Sequence, residues 1–210
     1  MTVIVVIGEV MARVDQSGGV DPAGFAAIAA LAAAERGAKV EVVTRLGDDL
    51  AGDGVLLAFA RAGVGHVATL RDAGLRTRVV ADTTEAFLAD DGEEPEATDD
   101  QGSTGRSALD DADVALALRY LTDYRVVVVA HPTDTGIVHE AASAAGWANA
   151  HLVVVISAAA SMTDMPDAAL VLSADPDAED TAQRVGVYSA ALDAGAEPEL
   201  AYGVLTAATT

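Results

Sequence analysis

The 210-residue chain contains no cysteine, which excludes disulfides and thiolate metal centres. It is also nearly without lysine: of its 12 basic residues only Lys39 is lysine, against 33 acidic residues, for a net charge of −21. So acidic a surface repels nucleic acid and anionic lipid, and it repels itself unless salt screens it. The balance suits a salt-loving cytoplasm, with an acidic protein from a GC-rich bacterial genome as the alternative. Long apolar runs are missing too. The longest, VVVVA at Val126–Ala130 and LVVVISAAA at Leu152–Ala160, fall well short of the ~20 residues a spanning helix needs. Met1 leads straight into a strand pattern with no signal peptide, so the expectation is a soluble cytoplasmic protein without membrane or nucleic-acid partners.

Several chemistries lack their motifs. There is no G-x-x-x-x-G-K-[ST] or G-x-G-x-x-G phosphate cradle, no H-E-x-x-H, and no G-x-S-x-G around Ser157 or Ser161. The four histidines, His66, His131, His139 and His151, show no compact ligand spacing, so no metal site is assigned. His131 alone follows the C-terminal end of a predicted strand, where open α/β sheets place ligands, and it is a candidate binding residue. Asp134-Thr135-Gly136 spells the D-T-G of aspartic proteases. Pro132 and a helical pattern downstream favour a turn with a helix cap at Asp134 or Thr135.

With 51% hydrophobic residues, the chain can bury one substantial core, and residues 1–210 read as a single domain. Short β-branched runs at Val3–Ile7, Val40–Thr44, Val126–Ala130, Leu152–Ile156 and Ala169–Leu172 alternate with Ala-rich helical stretches. The helices fit Pro22–Arg36, Ala51–Ala62, Ala112–Leu121, Thr135–Ala145 and two near the end, with Pro22 in a first turn and Gly37 as a stop. That alternation predicts an α/β fold with a parallel sheet covered on both faces. Strands of a small β lid are expected within 10–20 and 75–90, and residues 89–105 read as a polar acidic loop.

The segment VTRLGDDLAGDGVLLAFARAGV carries a strand into Gly47-Asp48-Asp49-x-x-Gly52, then a helix ending in the Gly63-Val64 turn. Upstream, VIVVIGEVMARVD places Gly8 and Glu9 at a turn, and GGVDPAGFAAIAA begins with Gly18 and Gly19. Downstream, DTAQRVGVYSAALDAGA contains Asp180, Thr181 and Tyr188. Together these segments resemble the ribokinase (PfkB) family of carbohydrate kinases, most closely the 2-keto-3-deoxygluconate kinase and fructokinase branch. The resemblance implies a ribokinase-like three-layer α/β/α fold with a mostly parallel sheet. It also implies a sugar-facing side at Gly18, Gly19 and Gly24, the last in place of the family's Asn, with Asp48 and Asp49 serving as helix caps.

The resemblance stops at the catalytic segment. The family's G-A-G turn reads Gln183, Arg184, Val185, and the position of its catalytic Asp is Gly186. A Gly-rich turn opening a helix presents N–H groups to phosphate, while the Asp takes the proton of the attacking hydroxyl, so losing both costs several powers of ten in rate. In the N-x-x-E element Ala174 replaces Asn and Asp177 stands for Glu. Only two residues then separate Asp177 from Asp180, where relatives insert strands of the adenine pocket. Residues left on the nucleotide side are Asp177, Asp180, Thr181 and Arg184.

The implied function is that of a catalytically degenerate sugar-kinase-like protein, acting as a small-metabolite binder or as partner of an active paralogue. The alternative is a reduced carbohydrate kinase that transfers the ATP γ-phosphate to a sugar or sugar acid, and Mg-ATP is a cofactor only on that reading. The family also implies a lid-mediated homodimer.

Overall fold

The computed structural model describes residues 2–81, 109–157 and 165–206. The chain begins with β1 (Val3–Gly8), the hairpin β2 (Met11–Val14) and β3 (Val20–Ala23), and α1 (Phe25–Glu35). It continues through β4 (Val40–Val43), β5 (Arg45–Gly47), α2 (Leu50–Arg61), β6 (Val64–Gly65), β7 (Leu70–Asp72) and β8 (Val79–Ala81). Next come α3 (Asp111–Tyr120), β9 (Tyr124–Ala130), α4 (Thr135–Ala148), β10 (His151–Ile156) and β11 (Ala169–Ser173). Three helices, α5 (Glu179–Asp193), α6 (Pro198–Ala201) and α7 (Gly203–Thr206), end the described chain. The acidic loop expected at 89–105 and the second half of the expected lid segment lie outside the described residues.

Six strands form one sheet in the order β11-β10-β9-β1-β4-β6, every neighbouring pair parallel. Its central strands are unbroken Val/Ile runs because both faces are buried. Ile4, Val6, Val126, Val128, Val153 and Val155 point into a core shared with α1 and α5. Their neighbours Val3, Val5, Ile7, Val127, Val129 and Val154 point into a second core beneath α3 and α4. The result is the expected three-layer α/β/α arrangement. Beside it stand a three-stranded sheet, β3-β2-β8, and the pair β5-β7, and α2 packs against both β2 and β3.

One helix boundary differs from expectation. Pro22 lies in β3, opposite Ala12, rather than in a helical turn. As an edge strand, β3 tolerates a residue that has no N–H to give. The helix starts at Phe25 behind Gly24, whose φ of +90° strains any side-chain-bearing residue. At the other end Gly37 N–H donates to the Ala34 carbonyl (2.8 Å) and Ala38 N–H to that of Ala33 (3.3 Å), a Schellman closure at the predicted stop. Asp134 is the predicted cap of α4, its carboxylate accepting from Gly136 N–H at 2.7 Å.

The Gly47-Asp48-Asp49-x-x-Gly52 segment is a structural knot. Asp49 caps α2 by accepting from Gly52 N–H (2.8 Å), and its other oxygen accepts from Thr77 N–H (2.8 Å). Thr77 in turn accepts from Gly47 N–H at 3.0 Å with its hydroxyl. Arg71 bridges Asp48 (3.0 Å) and Asp53 (2.8 Å). Burial pushes the Asp49 carboxyl up. Hydrogen bonds from Gly52, the Thr77 N–H and the Thr77 hydroxyl, with the charge of Arg71, outweigh it and hold the group below its ordinary range.

α1 is almost all alanine and is buried along most of its length, which lets α5 lie close across it. At the crossing, a Cβ added to Gly186 would collide with the carbonyl oxygen of Ala29 and sit 2.8 Å from Ala32 Cβ. Gly186→Ala is therefore expected to lower unfolding free energy by about 3 kcal/mol, read by urea denaturation. Asp49→Ala should cost about 2 kcal/mol at pH 7, through the lost cap and the stranded Thr77 N–H. Because the native carboxyl titrates low, its contribution is complete above about pH 4 and disappears as pH falls through the folded value. The gap between wild type and Asp49→Ala should therefore narrow in acid.

Candidate functional site

From β1 the chain proceeds through α1 to β4 on one side, whereas β9, β10 and β11 extend the sheet on the other. Strand order thus reverses at β1, and open α/β sheets form a ligand crevice at the carboxyl ends of strands at such a point. A cavity of ≈ 470 Å³ lies there. Ile7 and Gly8 at the end of β1, Thr44 after β4, and Val129 and Ala130 of β9 line its floor. Gly24 and Phe25 at the start of α1 line it as well. So do Met11, Arg78 and Val80 from in and beside the three-stranded sheet, and Pro176 and Asp177 from the β11–α5 connection.

His131 follows β9 directly and adopts a left-handed backbone with φ +48°, a region in which His, Asn and Asp are enriched. Its N–H donates to the Val155 carbonyl (2.8 Å), and its ring stands edge-on to Phe25, centroids 5.1 Å apart at 84°. Both ring nitrogens are buried without a hydrogen-bond partner among the described residues. Burial pushes the imidazole pKa down, and the nearby carboxylates of Asp175 and Asp177 only partly oppose this. Thr44 is fully buried and its Oγ1 is likewise unpartnered.

Arg45 joins Thr44 at the wall. Its guanidinium pairs with Asp72 at 3.3 Å and with Asp113 of α3, leaving Nε without a partner. Burial works against the Arg45 charge, but the two carboxylates more than compensate. At the rim Arg78 pairs with Glu9 at 3.6 Å, both largely exposed.

Of the residues singled out by sequence, Gly24, His131 and Asp177 come together in this cavity. Gly18 and Gly19 do not line it. They form the β2–β3 turn, folded around the Asp15 carboxylate, which accepts from Ser17 N–H (2.8 Å) and Gly19 N–H (2.7 Å). Asp180, Thr181 and Arg184 also lie outside the cavity wall, in the first two turns of α5, where Arg184 Nη2 donates to Thr181 Oγ1 at 3.2 Å. The Gln183-Arg184-Val185 stretch is helical, and α5 already begins at Glu179, which pairs with Arg13 of β2 at 2.5 Å. The sequence did not mark Thr44, Arg45 or Arg78, although Thr44 ends and Arg45 directly follows the strand expected at Val40–Thr44, the one position that could have marked them.

No family model and no curated protein matches the sequence. Solved structures do match. A candidate ribokinase from Agrobacterium tumefaciens is 13% identical with a TM-score of 0.56, the match covering 95% of this chain and 87% of that one. A 2-dehydro-3-deoxygluconokinase from Thermotoga maritima is 15% identical with a TM-score of 0.53, covering 74% of this chain and 51% of that one. A PfkB protein from a Polaromonas species is 21% identical with a TM-score of 0.51, covering 90% and 63%. The chain spans 50% of an aminoimidazole riboside kinase from Salmonella enterica, and so about half the length of that kinase and of the Thermotoga one. At these identities the likeness carries the fold and no particular branch: the chain has the PfkB/ribokinase-like fold, a parallel sheet between two helical layers.

Proposed function

We propose that this is a ribokinase-like protein that binds a small hydroxylated metabolite, a sugar or sugar acid, in the cavity at the carboxyl end of β1, without transferring phosphate. The observation that carries this reading is Gly186. It sits inside α5 against the Ala29 carbonyl, where no side chain fits and no helix N-terminus faces a phosphate. The lining of the cavity supports it from the other direction, since it is built largely from the carboxyl ends of β1, β4 and β9, where open α/β sheets place ligands. The three-stranded sheet, with Met11 and Val80 in the cavity wall, is the natural lid on this reading and a surface through which a second copy or an active paralogue would dock.

One observation favours the kinase alternative. Asp177 is a cavity carboxylate on the side where the nucleotide would lie, and on that reading it would take the proton of the attacking hydroxyl with Mg-ATP bound. Two measurements separate the readings. In a thermal-shift series in molar KCl, sugars or sugar acids should raise the melting midpoint and Mg-ATP should leave it unchanged. A ligand at 100 times its Kd should add about 2.7 kcal/mol. If phosphorylated sugar accumulates with Mg-ATP and Asp177→Asn abolishes it, the non-transferring reading is wrong.

A further inference from the structure

We propose that the outer face of α3 and α4, around Leu116, Tyr120 and Trp147, is where a second copy of this chain docks, through a two-fold axis that sets the helices of the two copies antiparallel. This surface is distinct from the cavity and from the three-stranded sheet, and the inference depends on neither.

The face exists because both helices bury their other side, Val114, Ala117 and Leu118 of α3 packing with Ile137, Val138 and Ala141 of α4 against the sheet. The helices lie side by side and run in the same direction. At their starts, a Cβ on Gly136 of α4 would stand 3.2 Å from Asp111 Cβ of α3. Toward their ends, Tyr124, which follows α3, donates from its hydroxyl to the Ala144 carbonyl of α4 at 3.1 Å. Leu116 and Tyr120 lie one turn apart on the outer side of α3 and are 46% and 77% exposed. Trp147 lies along the same side of α4 as Gly136, the side that borders α3, and is 90% exposed.

Trp147 is the only tryptophan of the chain, and it and Tyr120 are the two most exposed aromatic side chains among the described residues. Trp, Tyr and Arg carry most of the binding energy at protein interfaces, and exposed Arg119 adjoins Tyr120. Gly146 points the same way. It is exposed inside α4 with an ordinary helical φ, and a Cβ there would meet nothing within 4 Å. Neither backbone geometry nor packing within the chain calls for glycine, which disfavours a helix relative to alanine. Beside a projecting tryptophan, it lets another helix approach closely.

Charge selects a second copy as the occupant. The chain carries −21, yet in residues 114–122 and 141–150 the single charged residue is Arg119. Two copies therefore meet least repulsion here, whereas a basic partner would gain more on almost any other face of so acidic a chain. The exposed carboxylates of Asp111 and Glu140 lie toward the amino ends of the helices and Arg119 toward a carboxyl end. Antiparallel docking brings Arg119 of each copy toward Glu140 and Asp111 of the other, and a two-fold axis makes the match twice. With 10 and 14 residues, α3 and α4 offer a face roughly 20 Å square, the size of a reversible contact rather than a permanent one.

The test is sedimentation of the full-length protein from about 1 μM to about 1 mM, with tryptophan emission read on the same samples. A dimer of micromolar or weaker affinity should form, tighter in about 2 M than in about 0.2 M KCl because salt screens the net charge. Trp147 emission should move to the blue and resist acrylamide quenching in step with the dimer fraction. Tyr120→Asp and Gly146→Leu should each weaken the dimer at least about tenfold without lowering the melting midpoint of the monomer. Arg119→Glu and Glu140→Arg should each weaken it, and the two together should restore it.

A protein that stays monomeric at about 1 mM in about 2 M KCl overturns the proposal. So does a dimer whose formation leaves Trp147 emission and quenching unchanged, since its contact then lies elsewhere, as a dimer through the three-stranded sheet would. Failure of the double charge reversal to recover affinity overturns the antiparallel arrangement.

Discussion

The packing of α5 across α1 is the constraint on which the rest of the molecule depends. Two helices can lie this close only where the contact is made by small residues, here Ala29 and Ala32 on one side and Gly186 on the other. That contact seals one face of the sheet, burying Ala182, Val185, Tyr188 and Leu192 against the core under β1 and β9. It also sets the start of α5, and thereby the connection that brings Asp177 to the cavity. The site thus inherits its shape from an apolar contact that contains none of its polar groups.

On the reading proposed above, the same contact keeps this segment from serving as a phosphoryl-transfer site. Such a site needs a turn that ends at a helix N-terminus with N–H groups exposed to phosphate. Here Gln183, Arg184 and Val185 lie within a helix that has begun several positions earlier, so their N–H groups bond within the helix and Gly186 faces a neighbouring backbone. Changing Gly186 alone would not rebuild that turn. Buried polar atoms without protein partners occur instead at His131, Thr44 and Arg45, three of the residues that line the cavity.

Much of the fold was legible in the residues. The five predicted strands occur within two residues of their expected ends, because Val-rich runs buried on both faces have few other ways to satisfy their backbone. Gly37 and Asp134 stop and cap helices as their chemistry suggests, and Asp49 caps α2. Pro22 misled, since a residue without an N–H suits a helical first turn and an edge strand equally well, and only the pairing with β2 separates them. The site was harder to see. His131 was marked by its place after a strand. Thr44, the last residue of a predicted strand, and Arg45, the first after it, were passed over, because a threonine and an arginine are unremarkable until burial decides what they meet.

By itself the sequence determined the layer order, the parallel sheet, the acidic composition and the presence of a residue without a side chain at position 186, since these follow from local periodicity, composition and residue identity. Only the tertiary structure decided which residues share the cavity. It turned Gly18 and Gly19 away around Asp15, left Asp180 and Thr181 on α5 outside the wall, and brought residues 44, 131 and 177 together. The physical reason is that convergence at the carboxyl edge of a sheet depends on strand order. Strand order is set by the long-range packing of helices on the two faces, which no short stretch of sequence encodes.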